Sequence, residues 1–265
     1  MEIPKIIFII PYRDREPQKI HFTIYINYIL EDLPKNSYEI YFCHQNDNRK
    51  FNRGAIKNIG FIAMKEKYPD DYKNITFVFN DIDTIPNVKN IINYETTLKT
   101  IKHFYGFRFA LGGFFSIKGE DFEICNGFPN FWGWGLEDNI MQKRVLDNNM
   151  TINRSNFFPI GDINIHHSTD SPIRLINDRE TSSQLTSTEG IKDINKLIYN
   201  IKNSIINVTY FETLFPINEN EFYNKNLSTH GRRSNINVLK KWNNINQNNI
   251  NQNNINQNNI NQNNI

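Results

Sequence analysis

The sequence predicts an α/β fold with a mostly parallel central sheet and helices on both faces. Three observations carry this. Apolar runs at residues 5–10, 38–43 and 75–79 have the length of buried strands, each stops at a polar cluster, and segments of helical spacing separate them. Strands alternating with helices imply βαβ crossovers, which give parallel neighbours and a sheet covered on both sides.

The first run, Ile6 to Ile10, is five apolar residues closed by Pro11. That is too short for a bilayer span or a secretory core, so it reads as a strand. It leads into Pro11-Tyr12-Arg13-Asp14-Arg15, after which Ile20, Ile24, Tyr28 and Leu30 mark a helix. The second run ends in His44-Gln45-Asn46-Asp47. Then comes Phe51-Asn52-Arg53-Gly54 and a helix marked by Ile56, Ile59, Phe61 and Met64. The third ends in Asn80-Asp81-Ile82-Asp83. Ligands of such sheets sit beyond the carboxyl ends of the strands, where all three polar clusters fall.

From residue 104 to about 215 the sequence reads as a Gly112-Gly113 turn, a helix over 119–125, a Trp-rich loop, and a helix starting near Glu137. The spacing of Ile194, Leu197, Ile198, Ile201 and Ile205 predicts another helix, with a strand over 207–212 behind it. No linker interrupts the chain, so residues 1–235 are taken as one domain. From Asn243 the sequence repeats Ile-Asn-Gln-Asn-Asn, and one Ile in five polar positions buries too little to offset chain ordering. Residues 236–265 are therefore expected to be a disordered tail.

The bulk properties exclude several function classes. A formal net charge of +2 gives no steering toward nucleic acid or membrane surfaces. Two cysteines, Cys43 and Cys125, make neither a disulfide framework nor a cysteine zinc site. With neither a signal peptide nor a membrane span in the sequence, the expectation is a soluble, cytoplasmic protein.

The most informative stretch is Gly127-Phe128-Pro129-Asn130-Phe131-Trp132-Gly133-Trp134-Gly135-Leu136-Glu137-Asp138-Asn139. Indole rings offer a flat apolar face for the C–H side of a sugar, and an adjacent carboxylate can take a hydroxyl proton. The same residues would equally suit a tryptophan corner of a core followed by a helix start. Asp81 and Asp83 at a strand end point the same way and could reach a cation or a ribose; the plain alternative is a solvated turn before Pro86. Arg13 and Arg15, on the same side of the sheet, suit phosphate oxygens. Phe51 can stack on a base beside Arg53. His166-His167 project to opposite faces of a strand, so one of them, with carboxylate and phosphate oxygens, would suit Mn²⁺. Asn164, three residues before His167, could approach the same ion.

Taken together and in this order, these segments resemble the β-1,4-galactosyltransferase family of metal-dependent, inverting sugar transferases. The segments are Ile10-Pro11-Tyr12-Arg13-Asp14-Arg15, Phe51-Asn52-Arg53-Gly54, Phe79-Asn80-Asp81-Ile82-Asp83-Thr84-Ile85-Pro86, Gly112-Gly113, Asn126-Gly127-Phe128-Pro129-Asn130, Phe131-Trp132-Gly133-Trp134-Gly135-Leu136-Glu137-Asp138 and His167-Ser168. The resemblance implies a nucleotide-sugar-binding A-type fold, a UDP-sugar donor and a glycan acceptor. It places Pro11, Tyr12, Arg13 and Arg15 on the diphosphate, Phe51 and Arg53 at the uracil end, and Asp81 at the ribose or donor sugar. Mn²⁺ would be held by Asp83 and His167, with Asn164 where family members often carry Met. Trp134 would lie against both sugars, Glu137 would orient the acceptor, and Asp138 would be the general base. Gly113 and Ala110 would line the donor pocket. Ala110 stands where galactose-specific members usually have Tyr, so UDP-GalNAc is expected to compete with UDP-Gal.

Two other readings remain open at this point. A glycoside hydrolase would use Glu137 and Asp138 as its carboxylate pair, although neighbours at a helix start rarely face each other across one bond. A non-catalytic nucleotide-sugar or glycan-binding module could share the fold. The polar segment 168–185 is a candidate lid over the donor.

Overall fold

In the computed structural model, residues 2–168, 172–177 and 187–227 are described. The expected tail, and most of the candidate lid (169–171 and 178–185), lie outside them. In chain order the elements are β1 (Ile6–Tyr12), α1 (Glu16–Ile29), β2 (Tyr38–Gln45), α2 (Arg53–Lys67), β3 (Thr76–Asn80), β4 (Thr84–Pro86), β5 (Thr100–Gly106), β6 (Phe114–Lys118), α3 (Gly119–Ile124), α4 (Glu137–Asp147), β7 (Thr151–Asn153), β8 (Phe158–Pro159), β9 (Ile165–His167), β10 (Ile173–Asn177), β11 (Asn195–Lys202), β12 (Ile205–Glu212) and β13 (Phe222–Asn226). The chain divides into a large unit, residues 1–170 and 175–223, and a small one, 171–174 and 224–265. Within the small unit, the Leu227 N–H donates to the Pro172 carbonyl.

A nine-stranded sheet forms the large unit, in the order β11-β12-β2-β1-β3-β6-β5-β7, with β8 also on β5. The β12/β2, β2/β1, β1/β3, β5/β7 and β5/β8 pairs are parallel; β11/β12, β3/β6 and β6/β5 are antiparallel. Strand β1 is buried on both faces and sorts its side chains by alternation. Ile7 and Ile9 join one core with α2, α3 and α4, while Ile6, Phe8 and Ile10 join another with α1. After β2 the chain crosses β1 to place β3 on its far side, which makes the carboxyl end of β1 a topological switch point.

Two sequence expectations are corrected. Helix α1 forms, but it buries Phe22, Ile26 and Ile29; Ile20, Ile24 and Tyr28 are 61%, 64% and 50% exposed. Two apolar stripes of helical period coexist there, and the one carrying the Phe ring faces the sheet. The helix expected through residues 194–205 is instead strand β11, joined to β12 in a hairpin with Lys202 opposite Ile205. The turn residues Asn203 and Ser204 both have positive φ (48° and 62°), the geometry of a two-residue turn that matches strand twist. Along β11 it is Leu197, Tyr199 and Ile201 that alternate, with Leu197 and Tyr199 packed on the core, a strand period that the helical spacing of the isoleucines masks.

Candidate active site

The carboxyl ends of β1, β2 and β3 open into a cleft of about 420 Å³. That is enough for a substantial small-molecule ligand. Pro11, Tyr12, Arg13, Arg15, Phe51, Arg53, Asp81 and Asp83, eight of the residues expected at a donor site, all line it. Their roles within the cleft differ. The Tyr12 ring is 5% exposed and stacks on His44, its register partner in β2, with centroids 4.6 Å apart. Arg13 donates to Asp14 and Asp47 and to the Arg49 carbonyl, so its guanidinium is already oriented.

Arg49 was not singled out by the sequence, and Asp47 only as the end of the second polar cluster. Asp47 Oδ1 accepts from Arg13 and from Gln45, and its Oδ2 takes the Arg49 Nε and Nη2. The Arg49 guanidinium lies 4.7 Å from the Trp132 ring centre and 4.5 Å from that of Phe211. The two rings stack in turn, nearly parallel at 8°. Trp132 is thus a core residue, 3% exposed, whereas Trp134 is 36% exposed and its backbone N–H donates to the Leu175 carbonyl. The two tryptophans of the motif divide between packing and presentation.

The Trp-rich loop is fastened to the start of α2. Asn52 caps that helix by accepting from the Ala55 N–H, and its amide donates to the Asn130 carbonyl. Asn58 donates to the Phe128 carbonyl and to Asn130 Oδ1, and accepts from the Phe128 N–H. Gly54 allows the approach: a Cβ there would meet the Pro129 carbonyl oxygen at 2.0 Å. Consequently the first turns of α2 and α4 face each other. Arg53 pairs with Glu137 at 3.2 Å, and Lys57, one turn on, lies 3.4 Å from Asp81 Oδ1 and 3.5 Å from Asp138 Oδ1. Glu137 Oε2 also accepts the Gly135 N–H, so both its oxygens are used to fix it.

Backbone bonds tie the Gly turn into the same place. The Asp81 N–H donates to the Gly113 carbonyl, and the Leu111 N–H to the Asp138 carbonyl. Gly113 has φ +71°, a conformation that favours glycine, and Ala110 is buried beside it at the start of the turn. Leu136, immediately before α4, also takes a left-handed conformation (φ 66°), unusual for a side chain of its size and a mark of local strain at this turn.

The electrostatics are uneven. Asp81, Asp83, Glu137 and Asp138 all act on Arg53, and Lys57 is the second cation among them. Burial pushes the Asp138 carboxyl up to about 7; Glu137 and Asp81 add to the rise, and Lys57 and Arg53 oppose it. The helix start favours negative charge at Glu137 and Asp138, a smaller influence of the opposite sign.

His167 and Asp83 meet because β4 and β9 pair with Thr84 opposite His167. His167 Nδ1 lies 3.8 Å from Asp83 Oδ1 and 3.0 Å from Thr84 Oγ1. Two ligand bonds of about 2.1 Å span up to about 4.2 Å, so the pair fits one hard divalent ion. His166 turns the other way and lies against His21 of α1, ring centres 4.8 Å apart and tilted by 40°, removing it from competition. Asn164 departs from the expected set: its side-chain amide donates to Asp162 Oδ1, and its backbone carbonyl takes the Asn87 N–H, three register positions along from the Thr84–His167 pair. Among the described residues no group of three or more His, Cys, Asp or Glu could hold a metal.

Two family models match consecutive stretches of this chain, together residues 2–168. The N-terminal region of glycosyl transferase group 7 covers residues 2–95, and the N-terminal domain of galactosyltransferase covers residues 94–168. The chain belongs to the β-1,4-galactosyltransferase family. Within that family, β-1,4-galactosyltransferase 4 of Cricetulus griseus is 33% identical over 168 residues, 58% of this chain and 46% of the relative. β-1,4-Galactosyltransferase 1 of Mus musculus is 32% identical over 161 residues, 57% of this chain and 39% of its own length. The chain therefore spans less than half the length of these family members. The catalytic domain of Drosophila β-1,4-galactosyltransferase 7, solved with xylobiose, superposes with a TM-score of 0.59 at 21% identity, covering 78% of this chain and 94% of that one. A mutant of the same enzyme, in complex with manganese, UDP-Gal and xylobiose, gives 0.60. These superpositions establish the fold as the nucleotide-sugar-binding A type. Among the described residues no helix is long and apolar enough to cross a membrane.

Proposed function

We propose that this family member is an inverting, Mn²⁺-dependent hexosyltransferase that moves Gal or GalNAc from a UDP-sugar to a sugar hydroxyl, with Asp138 as general base. The observation that carries this reading is the position of Asp138. Its carboxyl, raised by burial to about 7, shares Lys57 with Asp81 of the cleft wall and lies in the first turn of the helix that follows the exposed Trp134.

The chemical problem is to expel a diphosphate from an anomeric carbon while a hydroxyl attacks from the opposite face. Arg13 and Arg15 would bind the phosphates, Arg13 already oriented by Asp47. Phe51 and Arg53 would take the base, and Asp81 the ribose or donor sugar. The two residues that would hold Mn²⁺ are Asp83 and His167, and the ion would supply positive charge to the departing diphosphate. Trp134 would present its ring to the apolar face of the sugars, and Glu137, fixed by Arg53, would orient the acceptor. Asp138 then removes the proton from the attacking hydroxyl. One displacement inverts the anomeric centre, so an α-linked donor yields a β-linked product. Ala110 and Gly113 leave little bulk beside the donor, which would admit a 2-acetamido group.

UDP release with Mn²⁺, UDP-Gal and UDP-GalNAc, and a panel of sugar acceptors tests this directly. Acceptor-dependent UDP release is expected, and its loss in EDTA; tight UDP binding with no transfer to any acceptor would leave only a binding module.

A further inference from the structure

Lys57 has no part in the sequence-level account, yet it is the most deeply buried charge near the site. Its side chain is 1% exposed, on the α2 face that packs on the Trp-rich loop, with its ammonium 4.6 Å from the Phe128 ring centre. A lysine in such surroundings stays charged only if carboxylates meet it. Two do so, from chain segments far apart: Asp81 at the end of β3 and Asp138 at the start of α4. Burial disfavours the charge, but Asp138 and Asp81 more than compensate, and the lysine pKa is raised. The buried Asp81 Oδ1 makes no hydrogen bond, so this ammonium is its close counter-charge.

We propose that Lys57 is a positioning residue for sugar transfer: its ammonium holds Asp81 and Asp138 at a fixed separation and supplies the counter-charge that Asp138 needs to act as base. The inference rests on the transferase reading above. The charged groups that face Asp138 are Lys57 and Arg53 of α2, Asp81 at the end of β3, and Glu137 beside it on α4. Arg53 is engaged by Glu137, which leaves Lys57 as the cation within 3.5 Å of Asp138. Removing that charge makes the carboxylate harder to form, so the acidic limb of the rate profile must move to higher pH. A role confined to packing would lower activity without moving the limb.

The test is the pH dependence of kcat with saturating UDP-Gal and Mn²⁺ for the full chain and for Lys57→Met, Lys57→Gln and Lys57→Arg, with UDP affinity measured in parallel. The expected result for Lys57→Met and Lys57→Gln is a limb shifted up by a pH unit or more, kcat at pH 7 lower by about fivefold or more, recovery toward pH 9, and UDP affinity within threefold of wild type. Lys57→Arg keeps the charge and should keep the limb. If Lys57→Met does not fold, Lys57→Gln, which retains polar contact without charge, decides alone. An unshifted limb in the neutral variants overturns the inference while wild-type transfer and an inactive Asp138→Asn leave the transferase reading standing. Absence of transfer by the wild type, or full activity in Asp138→Asn, overturns both.

Discussion

Gly112 and Asp138 are packed so closely that a Cβ on Gly112 would lie 2.0 Å from Asp138 Oδ2. The missing side chain of one residue is the space occupied by the carboxylate of the other. Gly112→Ala should therefore displace Asp138 and lower kcat about 10²-fold, the scale of a misplacement near 1 Å, with UDP binding retained. Kinetics and UDP calorimetry on one preparation check this. Unchanged turnover would mean that Asp138 need not sit where it does.

Asp138 carries its own pH dependence. A general base works only when ionised, and burial has raised this carboxyl to about 7. Activity should rise as pH increases through about 7 and flatten above it. An acidic limb near pH 4, the value of an ordinary aspartate, would remove Asp138 from the base role.

The Asp83–His167 pair should govern the metal requirement. Asp83→Ala is expected to abolish transfer or raise the Mn²⁺ concentration needed for half-maximal rate by tenfold or more, while Asn164→Ala, whose amide faces Asp162, should change it little. Mn²⁺ titrations of both variants separate the two positions. Full activity in EDTA would reject the metal assignment.

Donor selectivity should follow the bulk at position 110. UDP-GalNAc is expected to compete with UDP-Gal for the wild-type chain, and Ala110→Tyr to shift preference toward UDP-Gal. Turnover of UDP-Gal with complete refusal of UDP-GalNAc by the wild type would contradict this pocket argument.

The two tryptophans should separate stability from function. Trp132, stacked on Phe211 and covered by Arg49, should cost about 3–5 kcal/mol when cut to Ala, as large core truncations do. Trp134→Ala, at a 36% exposed site, should leave the urea midpoint nearly unchanged and raise the acceptor KM. Similar midpoints for both variants would contradict the division.

Much of this arrangement was legible in the residues, because strand-end polar clusters and a Trp-Gly-acid loop are signals of position as well as type. Asp81, Asp83, Arg13 and Phe51 could be placed from the alternation of apolar runs alone, and the cleft gathers them. Lys57 could not. A lysine in an amphipathic helix looks like a solvated one, and contacts formed between distant segments, such as Gly54 with Pro129 and Asn58 with Phe128, are what show that this face is covered. Helical spacing also misled at residues 194–205, where the two-residue turn at Asn203-Ser204 fixed a hairpin, and in α1, where two stripes of equal period competed for the sheet. Asn164 was placed by its distance in sequence from His167; its hydrogen bond to Asp162 turns it elsewhere.

The most direct measurement of the central claim is acceptor-dependent UDP release by wild type and Asp138→Asn, each with UDP affinity measured alongside. The account predicts transfer by the wild type, a loss of about 10²–10⁴-fold in the variant, and equal UDP affinity in both. Transfer by Asp138→Asn at the wild-type rate would contradict it.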